Sequence, residues 1–345
     1  MRAIAVSIVL VTFGVAGCAE ELSDASDDAE AAKRLRYTQV DITVGPANVD
    51  GWFPRGLSDK GEVIGQGFDC NEDFTVCSQV VLKRRDNGEF TVLENNFLMN
   101  DVNSRGDSGG CTFDPVTFLG QAGIVRVDGT LELIPPLPGE MSSCVSRVSD
   151  SGVAFVVSTD PNFVNSVYVF DRGTIRPFPV VNVDVADIND KAQLAGTQFT
   201  EPGNRAYRFD ARAQTTTILQ PVPPDPQSFG FAINKQGEVL GTSFDFDGSI
   251  QRIGSWNRTN QFETALIATP AFIANSLTWN EQGLIVVSNT NDGNTYLVPS
   301  PGVRLNLADL VRNGPAPTFF QAIAVNQRAD IVGAAYGSAL LFRRE

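Results

Sequence analysis

Nine acidic side chains fall in segments that read as loops on one side of the molecule: Asp69, Glu72, Asp73, Asp114, Asp160, Glu201, Asp245, Asp247 and Asp292. No Lys or Arg interrupts those segments. Carboxylates gathered in this way can hold a hard cation, or cleave a glycosidic bond when two of them stand roughly 5–9 Å apart. Asp245-Phe246-Asp247-Gly248 and Asn289-Thr290-Asn291-Asp292-Gly293 place oxygen ligands two residues apart beside a glycine, as a calcium loop does. Calcium is therefore the candidate cofactor, with Asp245, Asp247 and Asp292 as ligands. Neither segment has the bidentate glutamate six residues beyond the glycine that an EF-hand loop uses. A solvated acidic rim is the plainer reading, because a net charge of −14 already keeps a surface protein dispersed and off nucleic acid.

Gly106-Asp107-Ser108-Gly109-Gly110 matches Gly-x-Ser-x-Gly and looks like the nucleophile segment of chymotrypsin-like proteases. A nucleophile elbow needs a strand before the serine and a helix after it. Here Gly106 belongs to a turn and Ser108 begins a strand. The chain also contains no histidine, so the base would have to be a lysine or a carboxylate. Ser108 is read as structural, and no catalytic residue is assigned. Four cysteines are expected to form disulfides, Cys70 with Cys77 in one loop and Cys111 with Cys144 between neighbouring repeats, as suits an exported chain. No Cys-x-x-Cys spacing points to zinc. Trp52, Phe53, Phe272 and Phe319-Phe320 border the acidic side and are offered to sugars or a peptide, or else to packing between repeats. Trp256 and Trp279 lie within strands and belong to the core.

These side chains hang on a repeated unit. Aligned on Asn234, seven copies begin at Ser58, Asn103, Ser149, Asn189, Asn234, Asn280 and Asn326, at steps of 45, 46, 40, 45, 46 and 46 residues. Asn, Ser or Asp at the anchor bonds the backbone two residues on, and a glycine three positions later supplies positive φ. Copies four and seven carry Ala192 and Ala329 there. The period suits a four-stranded propeller blade. Helical repeats of similar length are excluded by short segments rich in Val, Phe, Ile and Thr, punctuated by Gly, Pro, Asn and Asp. With strands A to D running from the axis outward, each anchor turn joins A to B. Blade five, for example, is expected at Ser228–Asn234, Glu238–Phe244, Gln251–Asn257 and Gln261–Ile267, and blade six ends on a strand at Val303–Leu307. The seventh copy stops one strand short, after Phe319–Asn326, Asp330–Tyr336 and Ser338–Arg343. Arg36–Val44 alternates at period two and has no blade of its own. Pairing it with Ser338–Arg343 as the last strand D closes a ring of seven blades and leaves no open sheet edge.

Residues 1–17 precede this body. Arg2, the apolar run Ala3–Phe13 and the small-residue exit Val15-Ala16-Gly17 form a signal peptide too short to span a bilayer. Val-Ala-Gly-Cys resembles the lipobox of bacterial lipoproteins, which implies cleavage before Cys18 and its lipidation. Ala19 at the next position implies onward sorting to the outer membrane. Residues 18–35 then read as an acidic, disordered tether, and residues 36–345 as the propeller.

Ser166–Phe170, Arg205–Phe209 and Ser338–Phe342, with the Asn-x-x-Gly-x-Val-x-Gly turns, resemble the extracellular HAF-repeat family across residues 51 to 345. The chain departs from that pattern in lacking the histidine. The resemblance implies a propeller and an exterior location, with no defined activity. The sequence thus points to an all-β, seven-bladed, monomeric, lipid-anchored propeller that binds or scaffolds an envelope protein or glycan through an acidic face. A carboxylate-dependent enzyme acting on extracellular polysaccharide is the alternative. Paired acids near the axis would favour the enzyme, and a broad apolar and acidic patch the binder.

Overall fold

Every blade begins with a strand whose inward alternation is broken once, three residues before the anchor in six blades and five before it in blade six. The computed structural model describes residues 30–345 apart from 32–33, 48, 50, 72–76, 115–116, 118, 246–249, 269–273, 290, 315–317 and 336. It holds seven sheets of four antiparallel strands. Blade five runs Gln227–Ile233, Val239–Phe244, Gln251–Trp256 and Phe262–Ala268, within two residues of the expected bounds. Blade six departs from expectation at its end. Its last strand is only Leu305–Asn306, because Asn306 caps a short helix, Leu307–Leu310, by accepting a hydrogen bond from the Ala308 N–H.

The ring closes as the unpaired segment predicts. Tyr37–Asp41 lies antiparallel to Ser338–Arg344, with Tyr37 opposite Arg344 and Asp41 opposite Leu340. The sheet of blade seven therefore mixes the two ends of the chain. Glu30, Ala31 and Arg34 are helical, and Leu35 is buried against blades six and seven.

The core is divided. Seven clusters of buried apolar side chains each fill one blade-to-blade interface; Ile64, Val81, Phe97 and Met99 join blades one and two, for instance, and Ala195, Ala206, Val239 and Trp256 join blades four and five. Each blade is thus apolar on both faces. That is why its strands show runs such as Val-Ile-Gly or Ile-Val-Val in place of clean alternation.

The anchor residues do more than shape their own turns. Asn103 Oδ1 accepts from the N–H groups of Arg105 and Asp107, as the turn chemistry requires, while its Nδ2 donates to the Ser149 carbonyl at 2.8 Å. Asn189, Asn280 and Asn326 likewise reach the carbonyls of Asn234, Asn326 and Ser58, the anchors of the next blades. The last of these bridges blade seven to blade one. Ala192 and Ala329 hold φ of 60° and 64°, so the left-handed turn persists without glycine at a steric cost.

The second repeat glycine has a different reason. Strand A carries a bulge in every blade. In blade four the Asp184 carbonyl stands 1.9 Å from where a Cβ on Gly196 would be. Only a glycine fits there.

Polar staples reinforce these interfaces. Cys111 in strand B of blade two is disulfide-bonded to Cys144 in strand A of blade three, and Cys70 to Cys77 in blade one, as expected. Asp171 of blade three accepts two hydrogen bonds from the Arg212 guanidinium of blade four, at 2.8 and 3.0 Å. These bonds, with help from Arg172 and against the cost of burial, hold its carboxyl down at about 2.

Candidate functional site

The strand order fixes two faces. The B-to-C loops and D-to-A connections lie at one end, here called the loop face, and the A-to-B and C-to-D turns lie at the other, the turn face. Of the nine sequence candidates, Glu72, Asp73 and Asp247 lie outside the described residues, as does Phe272. The other six acids sit at the loop face, one to a blade, on blades one to six. Most of them are occupied locally. Asp160 Oδ1 accepts from the N–H groups of Asn162 and Val164 at 2.8 Å each. Asp292 accepts from the Asn294 N–H and, at 2.6 Å, from the Tyr296 hydroxyl. Asp114 accepts from the Thr117 N–H and Asp245 from the Ile250 N–H. Asp69 and Glu201 are exposed. Among the described residues no three Asp, Glu or Cys side chains come together as a metal group. Asp245 and Asp292 belong to loops of different blades, and their calcium role with Asp247 is not defined by these residues.

The sequence marked the acids of this face but missed most of its apolar half. Phe163 is 80% exposed, Val164 60%, Val181 69% and Phe199 48%. They lie in the B-to-C loops of blades three and four and in the connection between those blades. Phe53 and Phe319, which the sequence did single out, are also exposed here. Trp52 and Phe320 are instead buried, the indole donating to the Ile42 carbonyl at 2.7 Å. The signal that was available is the presence of Phe and Val inside loops that carry no strand period.

A second polar site opens at the turn face. A cavity of about 240 Å³ lies on the axis there, lined by residues of strand A and of the anchor turns. Two positions before the anchor, the repeats place Gly56, Asp101, Arg147, Asp187, Ala232, Thr278 and Ala324. Blades two to four thus supply charge and the others small side chains. Asp101 Oδ2 accepts from the Val148 N–H of the next blade, and Asp187 Oδ2 from the Ile233 N–H, both at 2.8 Å. Arg147 stands between them and donates to the Ser146 and Ala186 carbonyls. Both carboxylates are partly open to the channel, yet they lie deep within the ring of blades, so surrounding protein replaces most of their water. That burial raises Asp101, and it pushes Asp187 up to about 7, with the Asp101 charge adding to it and the Ile233 bond opposing it. At the mouth, Asp150 is an acceptor for the N–H and hydroxyl of Ser104 and for the Lys235 ammonium at 2.8 Å. Burial raises the Asp150 carboxyl, but those bonds together outweigh it and leave it lowered.

The sign of the Asp187 shift gives a test. A raised carboxyl binds its proton more tightly in the folded protein, so its contribution to stability is present below the unfolded value and is lost as pH rises through about 7. Asp187→Asn keeps an acceptor for the Ile233 N–H and removes the charge. Its thermal midpoint relative to the parent should rise between about pH 4 and pH 8. A flat difference across that range would show that Asp187 ionises freely.

Ser108, the candidate nucleophile, is fully buried at the start of strand B of blade two, paired with Val102 and Val125. It cannot meet a substrate in this fold. Trp256 is fully buried as expected, whereas Trp279 is only partly so and lines the channel.

The sequence matches no protein-family model and no curated protein sequence. Solved propeller structures share its architecture. The acylaminoacyl peptidase of Pyrococcus horikoshii aligns with a TM-score of 0.57 at 9% identity, over 92% of this chain and 53% of that one. A streptogramin B lyase aligns at 0.51 and 12% identity over 90% and 98% of the two chains. The selenomethionine-substituted virginiamycin B lyase from Staphylococcus aureus aligns at 0.50 and 11% identity over 90% and 99%. The likeness is one of fold.

Proposed function

We propose that this chain is an exported, lipid-anchored binding module of the bacterial outer membrane that engages an envelope partner through its loop face. One observation carries the reading: that face combines exposed Phe and Val side chains with acids on blades one to six, and four of the six described acids are occupied within their own loops. Such a surface offers contact area and charge, and those four acids already spend their oxygens on their own loops. The lipobox-like Val-Ala-Gly-Cys at residues 15–18 and the HAF-like turns support the address. They make Cys18 the lipidated residue, residues 18–35 the tether and the acidic loop residues the ligand face.

The decisive experiment places a photo-crosslinking residue at Phe163 on the loop face or at Arg172 on the turn face of the full chain in its native cell envelope. A discrete crosslinked product is expected from position 163 and none from position 172. Uncrosslinked protein at both positions would rule out the binding reading.

Catalysis by carboxylates on a polysaccharide has one observation in its favour, the Asp101 and Asp187 carboxyls facing the channel with Asp187 held at about 7. Against it, each of those groups is tied to the backbone of the next blade, as a structural acid would be.

A further inference from the structure

Phe163 is hard to explain by folding alone. Its φ is +62°, in the left-handed region that a bulky residue rarely adopts, and its ring stands 80% exposed. The loop that holds it is firmly built. Asp160 takes the N–H groups of Asn162 and Val164 on one carboxylate oxygen, and its carbonyl accepts the Phe163 N–H at 3.0 Å. The turn thus spends backbone strain on pushing an aromatic ring and the neighbouring Val164 into water. Across the boundary with blade four, the Phe199 N–H donates to the Asn182 carbonyl at 2.8 Å, which places Phe199 beside the exposed Val181.

Charge narrows what this patch can meet. Residues 159–165, 178–183 and 199–204 contain Asp160 and Glu201 and no Lys or Arg. Arg205 at the margin turns its guanidinium inward onto the carbonyls of Gly203, Asn204 and Pro226. An anionic bilayer, which exposed Phe and Val could otherwise enter, would be repelled by these acids. A glycan could stack on the Phe rings, but the aliphatic Val164 and Val181 would give it nothing to bond. A polypeptide with alternating basic and apolar side chains meets both features, pairing its charges with the acids and burying its apolar groups against Phe and Val.

We infer that the loop face of blades three and four docks a basic polypeptide segment with apolar side chains between its charges. The inference rests on the binding-module reading and names the partner class for the same face.

The test uses the full chain and a fluorescein-labelled twelve-residue peptide of alternating Arg and Leu, with matched peptides carrying Glu or Gln in place of Arg. Saturable binding of the Arg peptide is expected, weakened about tenfold or more by Phe163→Asn, by Phe199→Ser and by the pair Asp160→Asn with Glu201→Gln. Asn tolerates the left-handed backbone, so the Phe163 variant should melt no lower than the parent, whereas Asp160→Asn keeps the acceptor but gives up the charge that the Val164 and Asn162 bonds favour and should melt slightly lower while staying folded. Affinity should fall several-fold as salt rises from about 0.05 to 0.3 M. Equal binding of the Glu peptide, or Arg-peptide binding untouched by all the variants, would overturn the inference. So would preference for phosphatidylglycerol vesicles or for a soluble polysaccharide. If the crosslink at position 163 forms while the Arg peptide does not bind, the module reading stands and the basic-partner inference falls. If neither occurs, both fall.

Discussion

Deleting residues 36–44 should leave a chain that cannot hold its native ring at room temperature. The deletion removes Tyr37 and Ile42, both almost fully buried, and half-buried Val40. At about 1.5–3 kcal/mol for each buried apolar side chain, this term alone is roughly 4–8 kcal/mol. It also strands the Trp52 indole N–H, whose acceptor is the Ile42 carbonyl, and an orphaned buried donor costs about 1–3 kcal/mol more. A folded domain has only about 5–15 kcal/mol in total. Ser338–Arg344 would moreover become an open edge. Thermal unfolding followed by circular dichroism should show loss of the cooperative transition. A deletion variant that melts with the parent's midpoint would mean that the ring does not depend on this strand.

The second large effect is expected at Asn326. Its Oδ1 accepts from the Arg328 and Asp330 N–H groups, and its Nδ2 donates to Asp330 and, across the ring junction, to the Ser58 carbonyl. The residue is 2% exposed, so Asn326→Ala leaves several buried groups without partners, at roughly 2–4 kcal/mol in all. Asn234→Ala is the informative comparison. Asn234 makes the same turn, but its Nδ2 stays within it on the Glu238 carboxylate, so its loss should cost less, about 1–2 kcal/mol. Urea unfolding of the two variants would separate them. Equal losses would mean that the turn, and not the bridge between blades, is what these asparagines stabilise.

The contrast between these two asparagines shows what a single sequence can yield. Turn chemistry is local, so the Asn-x-x-Gly spacing was legible at once, and with it the blade count, the strand bounds and the ring closure. The Ser58 carbonyl that Asn326 Nδ2 reaches lies at the other end of the chain and becomes visible only when the ring closes. The same holds for Gly196, whose lack of a side chain is set by the Asp184 carbonyl of the strand beside it. The acids of the loop face could be collected because loops follow from strands. Their orientation could not, because a loop aspartate such as Asp160 or Asp292 reads the same in sequence whether it caps its own loop or faces a ligand. The charged column at Asp101, Arg147 and Asp187 was readable in principle, since those residues share one repeat position otherwise filled by Gly, Ala or Thr. Phe163 was hidden for a simpler reason: a Phe in a short loop looks like a core residue until its backbone is seen to turn it outward.

The direction of the closing strand has a mechanical consequence. Tyr37 enters beside Arg344 at the turn face, and the strand runs from there toward the loop face. If the chain is held at Cys18, force reaches the propeller through residue 36 and acts along that strand. A pull along the strand loads all five residue pairs between Tyr37–Asp41 and Ser338–Arg344 together in shear, whereas a pull across the sheet would peel them apart one at a time. With the proposed attachment, the chain enters on the turn face, where the channel mouth opens, and Phe163 stands on the opposite face. The strand that would carry such a load is the one that closes the ring.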